Sequence, residues 1–414
     1  MEDYDLIIVG AGPSGLFCGI NSMKRGKRVL ILEKKDSPGH KLLISGSGHC
    51  NLTHQGDIRD FLNHFGGPNQ ARFLRPALLG FTNNHLVSFF KDLGLEMIPE
   101  KGGKMFPETL HARDVLRILI DQCRKNDIAI KCNQNVTAID RDNGRFLVRC
   151  EGKVFRARML VIATGGCSYP ATGSTGDGHR FASSLGHHLA EIGPALTNLI
   201  IKDYQFPDLA GLSIPDIKTS LYRSTKINEH RGDILFTHDG LSGPGILDQS
   251  RFIRAGDIIK LSFVPEEQKA AVEKWLMDEA RQDGGKSILS ALSNLPFSTS
   301  GLSIKLTKRI LEISGISFDL HLAQLTRENR NRLIENFTGL PLVVSDLGGF
   351  NIAMVTRGGV NTIEVNSKTM QSRLVEGLYL VGEVLDIDGD TGGYNLQAAF
   401  STGMLAARSI RARI

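Results

Sequence analysis

The stretch Leu6-Ile7-Ile8-Val9-Gly10-Ala11-Gly12-Pro13-Ser14-Gly15, followed by Glu33 at the end of Arg28-Val29-Leu30-Ile31-Leu32, decides the fold. Leu6 to Val9 is an unbroken apolar run, as expected of a parallel strand buried on both faces. The residues after it fit G-x-G-x-x-G. Gly10 permits a tight turn, Gly12 lets a pyrophosphate approach the backbone, and Gly15 lets the next helix, expected from Gly15 to Lys24, pack on the strand. Free amides at the helix start supply an anion site. Alone the motif is weak, and a tight turn with no ligand is its bland reading. Here it lies between strand and helix and is answered by Glu33, 18 residues after Gly15. A carboxylate at that place accepts both hydroxyls of an adenosine ribose and repels a 2′-phosphate. The pattern reads as a dinucleotide cradle.

Outward from this motif the chain keeps an α/β pattern. Helices are expected from about Asn84 to Leu93 and from Ala112 to Lys125, and strands at Phe146–Cys150, Val154–Ala157 and Met159–Ala163. The middle differs. From Pro194 to Val264 short alternating segments are separated by Gly and Pro turns, which predicts a small sheet or barrel. Pro265-Glu266-Glu267 then opens a helix, with Pro in the first turn and acids near the positive end of the dipole. Helical patterns run on through Phe337. After Leu340-Pro341 strands return, Gly377 to Gly382 reads as a buried parallel strand, and a last helix spans roughly Leu396 to Arg411. The simplest parse is one Rossmann-type domain made of both chain ends, with an insertion between about Gly193 and Asn351.

Composition narrows the class. A chain of 414 residues exceeds one compact core, and 41% hydrophobic with 22% charged residues is ordinary for a globular protein. The longest apolar runs are strand-sized, so no membrane span is expected, and Asp3 and Asp5 break any signal peptide. Six cysteines without a C-x-x-C pair need no disulfide framework and predict a reducing cytoplasm. No Cys/His cluster has metal-ligand spacing, so no metal is expected. The net charge of +5 comes without a long basic block.

Three later segments bear on whether the dinucleotide is NAD or FAD. Ile162-Ala163-Thr164-Gly165-Gly166 ends a strand in the A-T-G pattern common where a flavoprotein chain returns to its dinucleotide. Gly382-Glu383 ends the late strand, where a carboxylate can reach a ribityl chain. Gly392-Gly393-Tyr394-Asn395-Leu396 opens the last helix, whose amides can face the pyrimidine edge of an isoalloxazine. An NAD domain has no need of this third contact, although each segment read alone can be a mere turn. The cofactor-binding candidates are therefore Gly10, Gly12, Pro13, Ser14, Gly15, Glu33, Lys34, Val136, Ala163, Thr164, Gly165, Gly382, Glu383, Gly393, Tyr394, Asn395 and Leu396.

Across nearly its whole length the chain resembles the BaiN/YhiN-type family of NAD(P)/FAD-dependent oxidoreductases, which includes aminoacetone-oxidase-like members. The resemblance is carried by Lys41 to Thr53 (KLLISGSGHCNLT), Ser168-Tyr169-Pro170 through Gly178, Phe236 to Pro244 (FTHDGLSGP), and Gly358-Gly359-Val360 through Asp386 to Asn395. It implies three parts: an FAD-binding Rossmann-type domain (1–192 and 352–414), an inserted β-barrel-like domain (193–264 and 338–351) and a small helical domain (265–337). Two positions depart from the family pattern S-G-G-G-R-C-N, with Ser47 for glycine and His49 for arginine. His charges only near its own pKa, so specificity is expected to differ where the family arginine meets flavin or substrate.

The small residues of the Lys41–Thr53 loop permit close approach to a flavin. Lys41, Ser45, Gly46 and Asn51 are added as FAD contacts. Cys50 is a candidate proton donor, or simply a small cysteine filling space. His238, in a Gly-rich turn that the family insertion points towards the flavin, is a candidate acid, base or anion donor, or a structural turn histidine. Asp386, Asp388 and Asp390 lack the further ligands of a metal site, while Asp388 is a cofactor candidate.

The expected function is an FAD-dependent reductase, delivering flavin hydride to an electron-poor C=C bond, with NAD(P)H as transient electron donor in the substrate cleft because no second dinucleotide motif is present. The resemblance offers a small molecule, as in bile-acid pathways, or a uridine in ribosomal RNA, for which Arg327, Arg330 and Arg332 are candidate contacts. The alternatives are a flavin amine oxidase releasing hydrogen peroxide and a non-catalytic flavin-binding interaction protein.

Overall fold

Glu2–Val9 lies inside a seven-stranded sheet of the computed structural model, which describes residues 2–297 and 302–414. It runs parallel to Val29–Leu32 on one side and to Lys153–Ile162 on the other. Ala129–Lys131 extends the sheet beyond Val29–Leu32, and Leu378–Leu380 pairs parallel with the end of Lys153–Ile162. Leu6, Ile7, Ile8, Leu30, Ile31, Leu160 and Val161 are fully buried, as a parallel sheet covered on both faces requires.

Lys153–Ile162 is one strand of ten residues, where the sequence had predicted two segments parted at Arg158. Its first half pairs antiparallel with Arg145–Cys150, which in turn pairs with Val136–Asp142. One face of that half meets solvent, so its side chains alternate; the second half is buried on both sides and reads as continuous. A change of environment within one strand gave the false boundary. The first helix spans Pro13–Ser22, starting two residues before and ending two before the expected Gly15–Lys24. It packs against the last helix, Tyr394–Arg411, where a Cβ on Gly403 would stand 2.7 Å from the Ser14 carbonyl oxygen. Phe17 anchors this contact, with ring centroids of Phe81, Phe89 and Phe400 at 4.9–5.1 Å.

These elements belong to a unit formed by Met1–Ala195 and Phe350–Ile414; a second unit is Leu196–Gly349. The second holds a closed antiparallel barrel of six strands: Leu199–Ile201, Gly240–Ser242, Lys226–Phe236, Ser213–Tyr222, Ile258–Ser262 and Leu340–Leu347. Two of these reach 10 and 11 residues, longer than the short segments expected. Bulges explain the difference, because the alternation of Ser213–Tyr222 breaks between Ile214 and Ile217, where Asp216 is left-handed (φ 56°). Helices Lys269–Gln282, Ile288–Leu292, Ile304–Ile313 and Arg327–Gly339 share one hydrophobic cluster with the barrel. Among the described residues no helix is long and apolar enough to cross a membrane.

Candidate functional site

Four parallel strands bring their C-terminal ends to one edge of the sheet. Val9 pairs with Leu32 and with Ile162, and Leu380 pairs with Ile162. Gly10, Glu33, Ala163 and Val381 therefore leave the sheet side by side. The carboxyl edge of a parallel sheet is where such folds bind ligands.

At this edge the three motif glycines do different work. A Cβ on Gly10 (φ 108°) would stand 2.4 Å from the Ala163 carbonyl oxygen, and one on Gly15 would stand 2.1 Å from the Gly10 carbonyl oxygen. Both positions are closed by packing. A Cβ on Gly12 would meet nothing within 4 Å. Gly12 is also the N-cap of the first helix, no side chain caps that helix, and Pro13 occupies its first turn. The amides of Ser14 and Gly15 are thus left for an anion in open space.

The Glu33 carboxylate braces the same loop, accepting from the Ala11 amide through Oε2 (3.0 Å) and from the Lys35 amide through Oε1 (2.9 Å). Its remaining lone pairs suit ribose hydroxyls. Lys34 turns instead to Thr175 Oγ1 (2.5 Å) and Asp177 Oδ2 (2.7 Å). Val136 is buried, two residues after Gln134, whose amide donates to the Glu33 carbonyl (2.8 Å). The Ala163 amide donates to the Val9 carbonyl (2.9 Å), and the chain then turns through Thr164 and left-handed Gly165 (φ 71°).

The C-terminal segment closes on this loop. Gly382 (φ 72°) faces Ser14, whose Oγ would lie 2.7 Å from an added Cβ. Glu383 accepts from Lys41 Nζ at 2.8 and 3.0 Å and from the Thr356 amide at 2.8 Å. Lys41 opens the loop expected over the flavin. In that loop Gly46, Ser47, Gly48 and Cys50 all have left-handed backbone (φ 53°, 57°, 90° and 62°), and Ser45 Oγ donates to the Leu42 carbonyl (2.6 Å). For Ser47 and Cys50 this costs about 1–2 kcal/mol each, strain of a kind that gathers at ligand sites. His49 is exposed, its ring edge-on to Phe106. Asn51 ends the loop: its Oδ1 accepts from the Gly393 amide (3.2 Å) and its Nδ2 donates to the Thr53 carbonyl (3.1 Å). Gly393 (φ 100°) is the N-cap of the last helix, again with no side-chain cap. One loop therefore ties Glu383 to the start of the last helix.

Several candidates sit elsewhere or are already engaged. Cys50 is fully enclosed in the hydrophobic core, and burial pushes its thiol up to about 12, against a weaker opposing bond to Ser45. A thiol kept protonated has the form a proton donor needs, but Cys50 is 0% exposed, and that enclosure favours its packing role. Asn395 spends its amide on the Gly389 backbone, at 2.8 Å through both oxygen and nitrogen. Asp388 is buried, Asp390 pairs with His64 Nδ1 (3.0 Å), and burial raises the pKa of Asp386. Leu396 packs partly buried against the core. His238 is exposed on the turn between barrel strands Lys226–Phe236 and Gly240–Ser242.

The structure adds residues that sequence reasoning missed. Thr356 Oγ1 accepts from the amides of Cys167 (2.8 Å) and Ser168 (3.1 Å), fixing the turn after Gly166. Buried His179 places Nδ1 3.8 Å from Cys167 Sγ. His54 and His64 stack on the two faces of the candidate Tyr394, at 5.2 and 4.1 Å between centroids. Partners separated by up to 340 positions leave no local signal.

The chain matches the HI0933-like protein Rossmann domain over residues 4–409. It is 30% identical to the ribosomal RNA dihydrouridine synthase of Escherichia coli K12 over 99% of this chain and 98% of that protein. It is 32% identical to the 3-dehydro-bile acid delta(4,6)-reductase of Clostridium scindens, covering 98% of each. Among solved structures, the 3-ketosteroid-delta4-(5alpha)-dehydrogenase of Rhodococcus jostii RHA1 superposes with a TM-score of 0.51 at 16% identity, over 99% of this chain and 97% of that one, a likeness of fold.

Proposed function

We infer that this chain, which belongs to the HI0933-like Rossmann-domain family, is an FAD-dependent oxidoreductase that saturates an electron-poor carbon–carbon double bond. The observation that carries the reading is the shared carboxyl edge, where the first helix starts uncapped at Gly12 and the Lys41–Asn51 loop ties Glu383 to the uncapped helix start at Gly393. The relatives named above support the reaction class, since one name specifies a dihydro product and the other a reductase. Bound FAD supplies the two-electron transfer.

The chain's own residues bind, orient and polarise. Amides of Ser14 and Gly15 hold the pyrophosphate over Gly12, and Glu33 accepts the ribose hydroxyls while bracing Ala11. The Lys41–Glu383 pair fastens the strained loop beside the ribityl position, and the Gly393 helix start gives positive potential where the pyrimidine edge belongs.

On the charge of the insertion alone a small-molecule substrate fits better than RNA, while the positive excess of the chain lies in the unit of both chain ends. Residues 196–349 carry 18 Lys and Arg against 19 Asp and Glu, so the insertion adds no net positive charge. Arg330 pairs with Glu273 and Arg332 with Glu328, leaving less for phosphates. The RNA reading keeps one support, the two relatives named ribosomal RNA dihydrouridine synthase, from Escherichia coli and Haemophilus influenzae. NAD(P)H is the proposed electron donor.

The test is anaerobic in its first arm. The yellow holoprotein is reduced with NADPH or NADH and mixed with conjugated enones or structured RNA, and in a separate arm the oxidised holoprotein, without nicotinamide, is mixed with amines in the presence of oxygen. Reoxidation by an enone with a saturated product supports the proposal, and reoxidation by RNA alone moves the substrate to uridine. Peroxide formed with amines, or a flavin that nothing reduces, overturns it.

A further inference from the structure

His54 lies in a socket made by three segments. Its Nδ1 is 2.7 Å from the Gln55 carbonyl oxygen and its Nε2 is 2.7 Å from the Gly102 carbonyl oxygen. Carbonyls only accept, so both ring nitrogens must donate, and an imidazole with two N–H groups is a cation. The socket is shaped to the ring. A Cβ on Gly103 would stand 2.5 Å from His54 Cε1, and one on Gly392 3.5 Å from Cδ2. Left-handed Gly102 and Gly103 (φ 76° and 79°) carry the turn around the ring edge, and the Asn83 amide holds the His54 carbonyl (2.9 Å). One face lies on Tyr394 at an interplanar angle of 18°. The charged groups nearby are Lys101 and Lys104 of the wrapping turn and Asp390 beyond Tyr394, bonded to His64. The lysines oppose a further positive charge, so the two carbonyls and the Tyr394 face are what favour it.

Tyr394 is the first residue of the last helix, after the uncapped Gly393. The His54 charge therefore adds to the positive end of that helix dipole at one place. We propose that His54 is an electrostatic positioning residue, held as an imidazolium by the Gln55 and Gly102 carbonyls so that it favours the negative charge a bound flavin gains on reduction. The proposal rests on the FAD reading above, but its first observable does not.

Two measurements test it. In protein labelled with 15N-histidine, long-range 1H–15N correlation at about pH 7.5, where an ordinary histidine is mostly neutral, is expected to show both His54 nitrogens protonated, with His54→Gln assigning the signal. In FAD-loaded protein with wild-type circular dichroism, His54→Gln is expected to disfavour reduction about tenfold, a drop of about 30 mV for a two-electron couple. A neutral tautomer in the first experiment overturns the proposal, as does an unchanged potential in the second. If the protein binds no FAD, the cofactor reading fails while the nitrogen spectrum still decides the charge.

Discussion

At the scale of single residues, Gly12 and Gly15 separate ligand space from packing space within one motif. Ala in place of Gly15 would force a methyl to within 2.1 Å of the Gly10 carbonyl oxygen, backbone that cannot yield cheaply. A cost of about 1–3 kcal/mol is expected, with lower thermal stability and lost flavin together. Gly12→Ala meets nothing within 4 Å, and its φ of −80° suits alanine, so apoprotein stability should stay within about 1 kcal/mol of wild type. The methyl instead enters the space assigned to the pyrophosphate, and FAD affinity should fall at least about tenfold. Apoprotein melting curves and a flavin titration of both variants check this; a Gly12→Ala protein that keeps its FAD affinity contradicts the placement. The close packing at Gly10 and Gly15 was legible in sequence because the motif is local. The fate of Cys50 was not, because enclosure depends on strands and helices distant in the chain, and the same holds for Asn395, whose amide turns back on Gly389.

Elements were legible where their environment is uniform along their length. The helix at Ala112–Lys125 matches expectation because one face is apolar throughout, with Val115, Leu116, Ile118, Leu119 and Cys123 buried. Pro68–Gly80 escaped notice: it follows Gly66-Gly67, contains Pro76, and exposes Arg75 and Leu79, so its start reads as a loop and its interior as broken. The joint between helix Asp177–Ser184 and strand Leu189–Ala195 carries a prediction of its own. There His187 Nε2 meets Ser372 Oγ at 2.8 Å and Nδ1 meets Glu364 at 3.1 Å. The Leu374 and Val375 amides already donate to that hydroxyl, so its proton goes to Nε2 and the ring is neutral. Burial holds the His187 pKa below 6.5 despite Glu364, and burial does the same for His179. Above the ordinary value both folded and unfolded states are neutral, and nothing is lost. As pH falls through about 6.5 the unfolded chain takes protons that the folded state refuses, so stability declines down to the lowered folded pKa. The shifted carboxylate Glu364 titrates below 4.5, outside this window. Thermal midpoints should fall between about pH 7 and pH 5, and His187→Gln should flatten part of the slope. A midpoint that rises on acidification contradicts the assignment.

At the scale of the whole molecule, the sequence pattern leads to a parse of one domain from both chain ends with an insertion, and the chain divides into a unit of Met1–Ala195 with Phe350–Ile414 and a unit of Leu196–Gly349. The barrel, which joins Leu199–Ile201 to Leu340–Leu347 across more than a hundred intervening residues, was expected from the family resemblance, while the local pattern left a small sheet or barrel open. That organisation has a thermodynamic consequence. The sheet and its helices bury one hydrophobic cluster, from Tyr4 to Ile414, and the barrel with its helices buries another, from Leu199 to Val344; among the described residues none belongs to both. Two cores of this kind can melt as two cooperative transitions, where a single core melts as one. All the proposed FAD contacts lie in the unit formed by both chain ends. Ligand binding stabilises only the state that binds, by about 2.7 kcal/mol at a hundredfold excess over Kd. Calorimetry of the full chain should therefore resolve two transitions, one rising with FAD concentration and one indifferent to it. Gly12→Ala should abolish the rise without moving the indifferent transition. A single transition that shifts as a whole with FAD would mean that the two cores unfold as one, and the independent insertion would have to be given up.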